Sequence, residues 1–324
     1  MDLAYALALF VFPGYAFLML MAFFLEWLDR KTLAKVQDRY GPLLVGPMGL
    51  LQPLADFIKL LSKEDMVPKG ANKGVLTAAP ILMAALPLTA LFFIPMNGRE
   101  ALVSFEGDLI AVLFILVTLA LLIFLTGWAS ANAFAAEGAM RSALQMLSYE
   151  IPLALTAICP ALVAGSLSIS TIYASQAEAG LPFLAFAPPF GAISFVIFLL
   201  CSLAELERVP FDAPEAETEI VAGWMTELTG RRLALIRLGR NLSFLLMASL
   251  MASLYLGDPI TPGLAWLAPL AFVLKVMACA ILMSFIRGLM ARLRIDQTLR
   301  MFWTYMIPLA VGVLLATKLF LMLP

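Results

Sequence analysis

The sequence predicts an all-α, polytopic membrane protein with about eight transmembrane helices, an amphipathic interfacial helix and a structured acidic cytoplasmic loop. Three observations support this fold class. Of the 324 residues, 63% are hydrophobic and 13% are charged, against ~25% charged in an ordinary soluble domain. The mean hydropathy is +0.97. Several apolar runs reach the roughly 20 residues that a helix needs to cross a bilayer.

Eight apolar runs are predicted to form the spans, and together they make a single integral membrane domain over residues 1–324. The first run is too long for the core of a signal peptide, and no polar mature chain follows it, so it is expected to stay as a span. An even number of spans places both termini on one side. The predicted spans cover residues 3–25, 75–95, 108–128, 143–166, 183–204, 238–256, 264–286 and 303–322.

The basic residues divide unequally between the two sets of connections. The connections 26–74, 129–142, 205–237 with the adjoining Arg240, and 287–302 hold 18 Lys and Arg, whereas the other set holds only Arg99. Lys and Arg accumulate in cytoplasmic loops. The sequence therefore predicts a multi-pass protein of the cell (inner) membrane with both termini on the external side.

The first cytoplasmic connection, 26–74, contains a predicted amphipathic helix over Leu50–Leu61. Its apolar residues recur at helical spacing, while Asp56, Lys59 and Lys63 fall on the other side. Such a helix is too short and too charged to span, and it is predicted to lie in the membrane interface. It serves either as a simple anchor or as one wall of a cavity.

The second long connection, 205–237, is acidic. Its first part, from Ala204 to Glu227, holds seven of the chain's 22 acidic residues, although the protein uses charge sparingly elsewhere. Two interpretations are open: a solvated loop between spans, or a charge relay or docking surface at the membrane edge. The seven residues are Glu205, Glu207, Asp212, Glu215, Glu217, Glu219 and Glu227.

Three ionisable residues fall inside or at the end of predicted spans: Glu150, Glu205 and Lys275. Each costs about 2.5–3.5 kcal/mol at the bilayer centre on insertion scales. With the fourth span starting near Ala143, Glu150 is expected on the order of 10 Å inside it. Each residue could be a neutral or snorkelling group on its own. Their positions on segments that flank the acidic loop favour a hydrated polar path.

Several kinds of redox chemistry are excluded for this chain alone. It has no histidine, its three cysteines are far apart with no C-x-x-C, and it has no G-x-G-x-x-G or P-loop pattern. A haem, iron–sulfur or metal site is therefore not expected. Electrons of an associated redox reaction would travel on another subunit. The net charge of −1 gives no reason to expect a nucleic-acid partner.

Four segments of the chain resemble the subunit 1 or H-type membrane subunit of respiratory complex I. They are DRKTLAKVQDRYGP (29–42), GLLQPLADFIK (49–59), AELERVPFDAPEAETEIVAG (204–223) and RLRIDQ (292–297), and the resemblance covers nearly the whole chain. The Pro210–Glu217 element is the most specific. The wider superfamily includes membrane-bound, ferredoxin-fed [NiFe]-hydrogenases and sulfur reductases.

The resemblance implies a helical heel that joins a hydrophilic redox arm with Fe–S clusters to antiporter-like and small membrane subunits. It implies no cofactor on this chain alone and a quinone in the assembled complex. Residues that match the proton relay are Glu150, Glu205, Asp212, Glu215, Glu217, Glu219 and Glu227. Those that match the quinone cavity and the arm-docking surface are Asp29, Arg39, Gln52, Asp56, Lys59, Lys63, Arg208, Arg287, Arg292, Arg294 and Asp296. Lys275 is predicted to lie on an intramembrane polar path because of its place inside an apolar span, and not from the resemblance.

The chain also departs from the pattern of the complex I relatives. Leu43 and Leu44 stand where those relatives carry an Asn-Arg pair, Val117 replaces a glutamate, and Asp29 replaces another. These departures keep a second interpretation open, in which the chain belongs to a ferredoxin-dependent hydrogenase or sulfur reductase without a working quinone site. A third, a stand-alone ion transporter, is disfavoured because no inverted repeat with broken helices is visible.

Overall fold

The computed structural model describes residues 8–98, 100–185, 189–257 and 266–322, and within these ranges all regular structure is helical. The π-helical segment Phe302–Met306 joins the last two helices into one rod. The helices are α1 (Tyr15–Val36), α2 (Gln52–Ser62), α3 (Lys73–Ala90), α4 (Asp108–Ala129), α5 (Ala133–Ala164), α6 (Ile169–Ala179), α7 (Phe190–Glu205), α8 (Glu217–Ile220), α9 (Gly230–Tyr255), α10 (Ala268–Leu289), α11 (Ile295–Met301) and α12 (Ile307–Met322).

Within the described ranges, seven helices are long and apolar enough to cross a membrane. They are Ala8–Val36, Lys73–Phe93, Asp108–Ala129, Ala133–Ala164, Gly230–Tyr255, Ala268–Leu289 and Ile295–Met322. The fifth predicted span corresponds to α7, which is apolar but has only 16 residues. The number of eight spans therefore stays a prediction.

The long helices alternate between two ends of one bundle. At the end that we call the acidic end, Met66 N donates to Thr229 Oγ1 at 3.0 Å, and Asn132 donates to Glu227 at 2.5 Å. At the opposite end, Leu109 N at the start of α4 donates to the carbonyl of Leu167 after α5. The loops 37–72 and 206–229 therefore meet at the acidic end.

Helix α7 also runs from one end to the other. Near its start, the hydroxyls of Ser194 and Tyr255 lie 2.9 Å apart at the opposite end. Near its finish, Gln145 of α5 donates to the carbonyl of Ala204 at 2.9 Å and to that of Phe211 at 2.8 Å. These two bonds fix the start of the acidic stretch against α5.

Helix α9 forms the centre of the core. Every residue from Phe244 to Tyr255 is buried, as expected for a helix that is apolar all round. Its contact with α3 is so close that a Cβ at Gly239 would lie 2.3 Å from the carbonyl oxygen of Met83. Glycine is required there because any side chain would push the two helices apart.

The predicted amphipathic helix is confirmed as α2, over Gln52–Ser62. Phe57 faces inward and packs on Phe23 of α1, with ring centroids 5.6 Å apart. Ile58 and Leu61 stay exposed on the other side. The rest of the protein therefore covers only part of the apolar face of α2.

Several predicted boundaries were wrong because charged residues were taken as the ends of helices. Helix α5 begins at Ala133 rather than near residue 143, so Glu150 lies about 25 Å along the helix rather than 10 Å. Its first turns carry Glu137 and Arg141, which pair at 3.1 Å one turn apart. Likewise α1 continues to Val36 and α9 begins at Gly230. Helix α6 was not predicted.

Candidate functional site

A cavity of about 610 Å³ opens at the acidic end, between α1, α9, α10 and the stretch that follows α7. It is lined mainly by charged side chains, with arginines and carboxylates in similar number. The lining residues are Glu26, Asp29, Arg30, Leu33, Glu207, Arg208, Val209, Asp212, Glu215, Thr218, Arg237, Arg240, Asn241, Arg287 and Arg292.

Asp29 is buried in the wall of this cavity and is surrounded by donors. Its carboxylate lies 2.7 Å from Arg287 and 3.0 Å from Arg208, and it accepts a hydrogen bond of 2.6 Å from Ser284. The carboxylate therefore ties α1 to α10 and to the acidic stretch. The sequence placed Asp29, Arg208 and Arg287 in one functional set, and the structure brings them into contact.

Arg208 lies on the segment after α7, with its guanidinium carbon 3.9 Å from the ring centroid of Phe244. Burial lowers the pKa of Arg208 to about 10, and the charge of Asp29 opposes that shift. An arginine with this pKa stays positive at neutral pH. It brings a fixed positive charge to the inner part of the cavity.

A second group of charges joins α1 to α2. Arg30 pairs with Glu26 and, at 2.7 Å, with Asp56, which also accepts from Gln52 at 2.9 Å. Burial alone would raise the pKa of Asp56, but the hydrogen bonds from Arg30 and Gln52 outweigh it, so the pKa lies below its ordinary value. The amphipathic helix is thus held to the cavity wall by charge as well as by Phe57.

Two carboxylates of the acidic stretch face arginines across the cavity. Glu215 pairs with Arg240 of α9. Asp212 lies 3.1 Å from Arg292, which also donates to the Asp212 carbonyl at 3.0 Å. The cavity surface therefore consists of ion pairs rather than of unopposed negative charge.

Two smaller cavities continue from this site into the bundle. The first, of about 40 Å³, is lined by Glu205, Glu207, Arg208 and Arg240 among others. The second, of about 30 Å³, is lined by Glu150, Glu205, Tyr149 and otherwise apolar side chains that include Val117. Glu205 thus lies on both small cavities. The structure brings Glu150 and Glu205 to one site, as the sequence predicted.

Glu207 joins the outer cavity to the first small one, and the sequence analysis did not select it as a site residue. It is 6% exposed, and its two oxygens accept from Ser142 at 2.7 Å and from the Trp224 indole at 2.9 Å. Burial, followed by the charge of Glu215, raises its pKa to about 7. In the sequence it was one of seven acids, with nothing to indicate that its side chain points inward.

Other predicted site residues lie around the rim of the acidic end. Glu219 is exposed and pairs with Arg141 at 2.5 Å, which lowers the pKa of Glu219, and Glu227 accepts from Asn132. Glu217 begins α8, but its side chain lies outside the described part of the structure. Five more residues are exposed and do not line the cavity: Arg39, Lys59, Lys63, Arg294 and Asp296.

Lys275 is not brought to this group. It is the eighth residue of α10, and its ammonium donates to the carbonyl of Gly257 and to the Tyr173 hydroxyl at 3.2 Å, at the opposite end of the bundle. Leu43 and Leu44 are 51% and 96% exposed and do not line the cavity.

Comparison with known proteins identifies the family. The family model described as NADH dehydrogenase matches residues 8–318. An H-type subunit of NADH-quinone oxidoreductase from Syntrophobacter fumaroxidans is 37% identical over 314 residues, covering 93% of this chain and 92% of the relative. The chain belongs to the H-type family of complex I subunits. Two more members of this family are from Geobacter metallireducens, 38% identical over 100% of this chain and 98% of the relative, and from Bartonella henselae, 37% identical over 92% and 89%.

Membership in the H-type family establishes a membrane subunit of an oxidoreductase complex, which has partner subunits. Each of these relatives bears the name of an NADH-quinone oxidoreductase. The apolar helices agree with a polytopic membrane protein.

Proposed function

We propose that this chain is the heel subunit of a complex I-type redox-driven ion pump. In this role it joins the hydrophilic electron-transfer arm to the ion-translocating membrane arm and lines a quinone-type cavity. Its acidic relay couples electron transfer to the movement of H⁺ or Na⁺. The chain binds no redox cofactor of its own, and the partners are Fe–S redox subunits, antiporter-like subunits and small membrane subunits.

The observation that supports this proposal best is the order of the three cavities. A charged cavity of about 610 Å³ at the acidic end adjoins two small cavities whose carboxylates lead to Glu150. Glu205 and Glu207 lie where one cavity meets the next. A solvated acidic loop would not need a buried Glu207 and half-buried Glu205 and Glu150 on successive cavities, because surface charge suffices for solubility.

The proposed orientation places the acidic end in the cytoplasm. The basic residues of the loops there favour this side by the positive-inside rule. The redox arm would then dock over the cavity of about 610 Å³. Arg39, Lys59 and Lys63 are exposed in the loop 37–72 of the same end.

Replacing Glu205 with Gln tests the coupling role. In the complex reconstituted into vesicles, E205Q should lower the rate of ion pumping by about 10²-fold or more, the scale on which a proton-transferring side chain acts. Assembly should be unaffected because Gln has the same shape. Unchanged pumping in E205Q would argue that the acidic stretch is only a solvated loop.

A second candidate is the equivalent subunit of a ferredoxin-dependent hydrogenase or sulfur reductase. Val117 favours it, because this apolar side chain lines the innermost cavity beside Glu150 and Glu205. Quinone-site inhibitors separate the two candidates. Clear inhibition of the intact complex supports the quinone cavity, whereas complete insensitivity together with hydrogen or sulfide production supports the second candidate.

A further inference from the structure

A carboxylate outside the set predicted from the sequence, that of Glu207, lies where the outer cavity meets the first small cavity. Glu207 lies on the outer cavity and on the first small cavity, and Glu205 lies on both small cavities. The route from the open cavity to Glu205 therefore runs past Glu207.

The side chain of Glu207 is held in place by two neutral donors on different elements. Ser142 of α5 donates to one oxygen and the Trp224 indole to the other. Trp224 is itself fully buried, so its ring is packed on all sides. A carboxylate with both oxygens bonded in this way keeps one orientation.

The backbone at Glu207 is also unusual for a residue with a side chain. Its φ is +50°, in the left-handed region that non-glycine residues seldom adopt. This turn after α7 directs the glutamate side chain inward, towards Ser142 and Trp224.

The charges that face Glu207 oppose one another. Glu215 of the acidic stretch and Glu205 of α7 are the nearby carboxylates, Arg240 of α9 is the nearby cation, and the buried Tyr149 hydroxyl lies beyond Glu205. Arg240 is shared with Glu215 through their ion pair. The charge of Glu207 is thus only partly balanced: Arg240 attracts it, and the neighbouring carboxylates repel it.

We propose that Glu207 is the proton carrier between the open cavity and Glu205, a role that rests on the proposed function of the acidic relay. A hydronium ion in the outer cavity gives its proton to the Glu207 carboxylate and leaves as water. The neutral carboxylic acid then passes that proton to the Glu205 carboxylate and becomes an anion again. The cavity of about 40 Å³ between them can hold a water molecule that relays the proton.

The near-neutral pKa of Glu207, about 7, suits this role because a carrier works best when it is neither permanently charged nor permanently neutral. Ser142 and Trp224 both stabilise the charged form and so oppose the effect of burial.

The variant E207Q tests the proposal in the whole reconstituted complex. A glutamine fits the same site, since its oxygen can accept from Trp224 while its amide donates to Ser142, but it cannot carry a proton. We expect the rate of ion pumping to fall by about 10²-fold or more. The infrared carbonyl band of a protonated carboxyl should also disappear. The control is E137Q, which neutralises a glutamate that is 56% exposed on the same end of α5 and should pump normally.

A second variant keeps the proposal testable if E207Q fails to assemble. Trp224→Phe leaves the carboxylate but removes one donor, so the pH profile of coupled turnover should shift to higher pH. A purely structural role for Glu207 would leave that profile unchanged. An unshifted profile overturns the proposal.

The outcomes of E205Q and E207Q also separate this inference from the proposed function. If both lose pumping, both hold. If only E205Q loses pumping, Glu207 is not the carrier, while the relay stands. If neither loses pumping, the relay itself is wrong.

Discussion

At the scale of single residues, one carboxylate joins three elements of the bundle. Asp29 of α1 contacts Arg287 of α10 and Arg208 of the acidic stretch, and it accepts a hydrogen bond from Ser284 of α10. Two arginines therefore share one buried carboxylate.

Removing the charge of Asp29 should destabilise the subunit strongly. Asp29→Asn leaves Arg208 and Arg287 without their shared carboxylate in a largely buried site, where breaking an ion pair costs about 3–5 kcal/mol. Thermal unfolding of the purified complex measures the loss. Asp65→Asn is the control, since the Asp65 pair with Arg232 spans 3.5 Å and is partly exposed, and such pairs contribute about 1 kcal/mol or less. Equal losses in both variants would contradict the central role of Asp29.

Glu207 gives the stability of the protein a specific pH dependence. Its pKa rises from an ordinary value of 4.5 to about 7 in the folded protein, so the folded state binds more protons than the unfolded state between these values. By linkage, this contribution to stability is fully present below pH 4.5 and is lost as the pH rises through about 7. In E207Q this pH-dependent contribution should vanish. The difference in thermal midpoint between E207Q and wild type should therefore change steadily as the pH rises from 4.5 to about 7. A difference that stays the same at every pH would show that Glu207 does not titrate in this range.

At the scale of elements, the sequence predicted the apolar runs well and the helix ends poorly. Hydropathy detects apolar residues, whereas α5 begins ten residues before its apolar run. Those residues are held by the Glu137–Arg141 pair and by the contact of Arg141 with Glu219. Helix α2 was predicted because the helical spacing of its apolar residues is enough to define it. The path of the acidic stretch could not be predicted, because Gln145 and Trp224 fix it through tertiary hydrogen bonds.

Close packing of α3 on α9 predicts that Gly239 tolerates no side chain. Gly239→Ala places a Cβ against the backbone of Met83, and overpacking of this kind costs typically about 1–3 kcal/mol. The amount of assembled complex and its thermal midpoint should both fall. Gly312→Ala on α12 is the matched control, because a Cβ there meets nothing within 4 Å. If the Gly239 variant is as stable as the Gly312 variant, α3 and α9 can move apart without a loss of stability.

At the scale of the whole molecule, the grouping of basic residues predicted which loops lie together. The loops 37–72 and 206–229 do meet at one end, with Arg232 of α9 3.5 Å from Asp65. Which side of the membrane that end faces stays a prediction from the positive-inside rule.

Cysteine labelling in intact cells tests the orientation. Asn97→Cys lies at the opposite end and should react with a membrane-impermeant reagent, whereas Lys69→Cys should react only after the cells are opened. Both side chains are exposed, and the three natural cysteines are buried, so the background should be low. The reverse pattern would place the cavity of about 610 Å³ outside the cell.

The length of α5 has an electrical consequence. Its 32 residues extend about 48 Å, while the hydrocarbon layer is about 30 Å thick, so the first turns, up to about Ser142, stand at the level of the headgroups. Glu150 lies eight residues further, about 12 Å into the layer. A unit charge that moves between these two levels crosses about two fifths of the membrane voltage. A charge that crosses the full thickness changes in free energy by about 2.3 kcal/mol per 100 mV, so the free energy of this shorter step changes by about 1 kcal/mol per 100 mV. The rate of proton transfer from Glu207 towards Glu150 should therefore depend on the voltage across the membrane, and its sign decides whether the transfer becomes slower or faster.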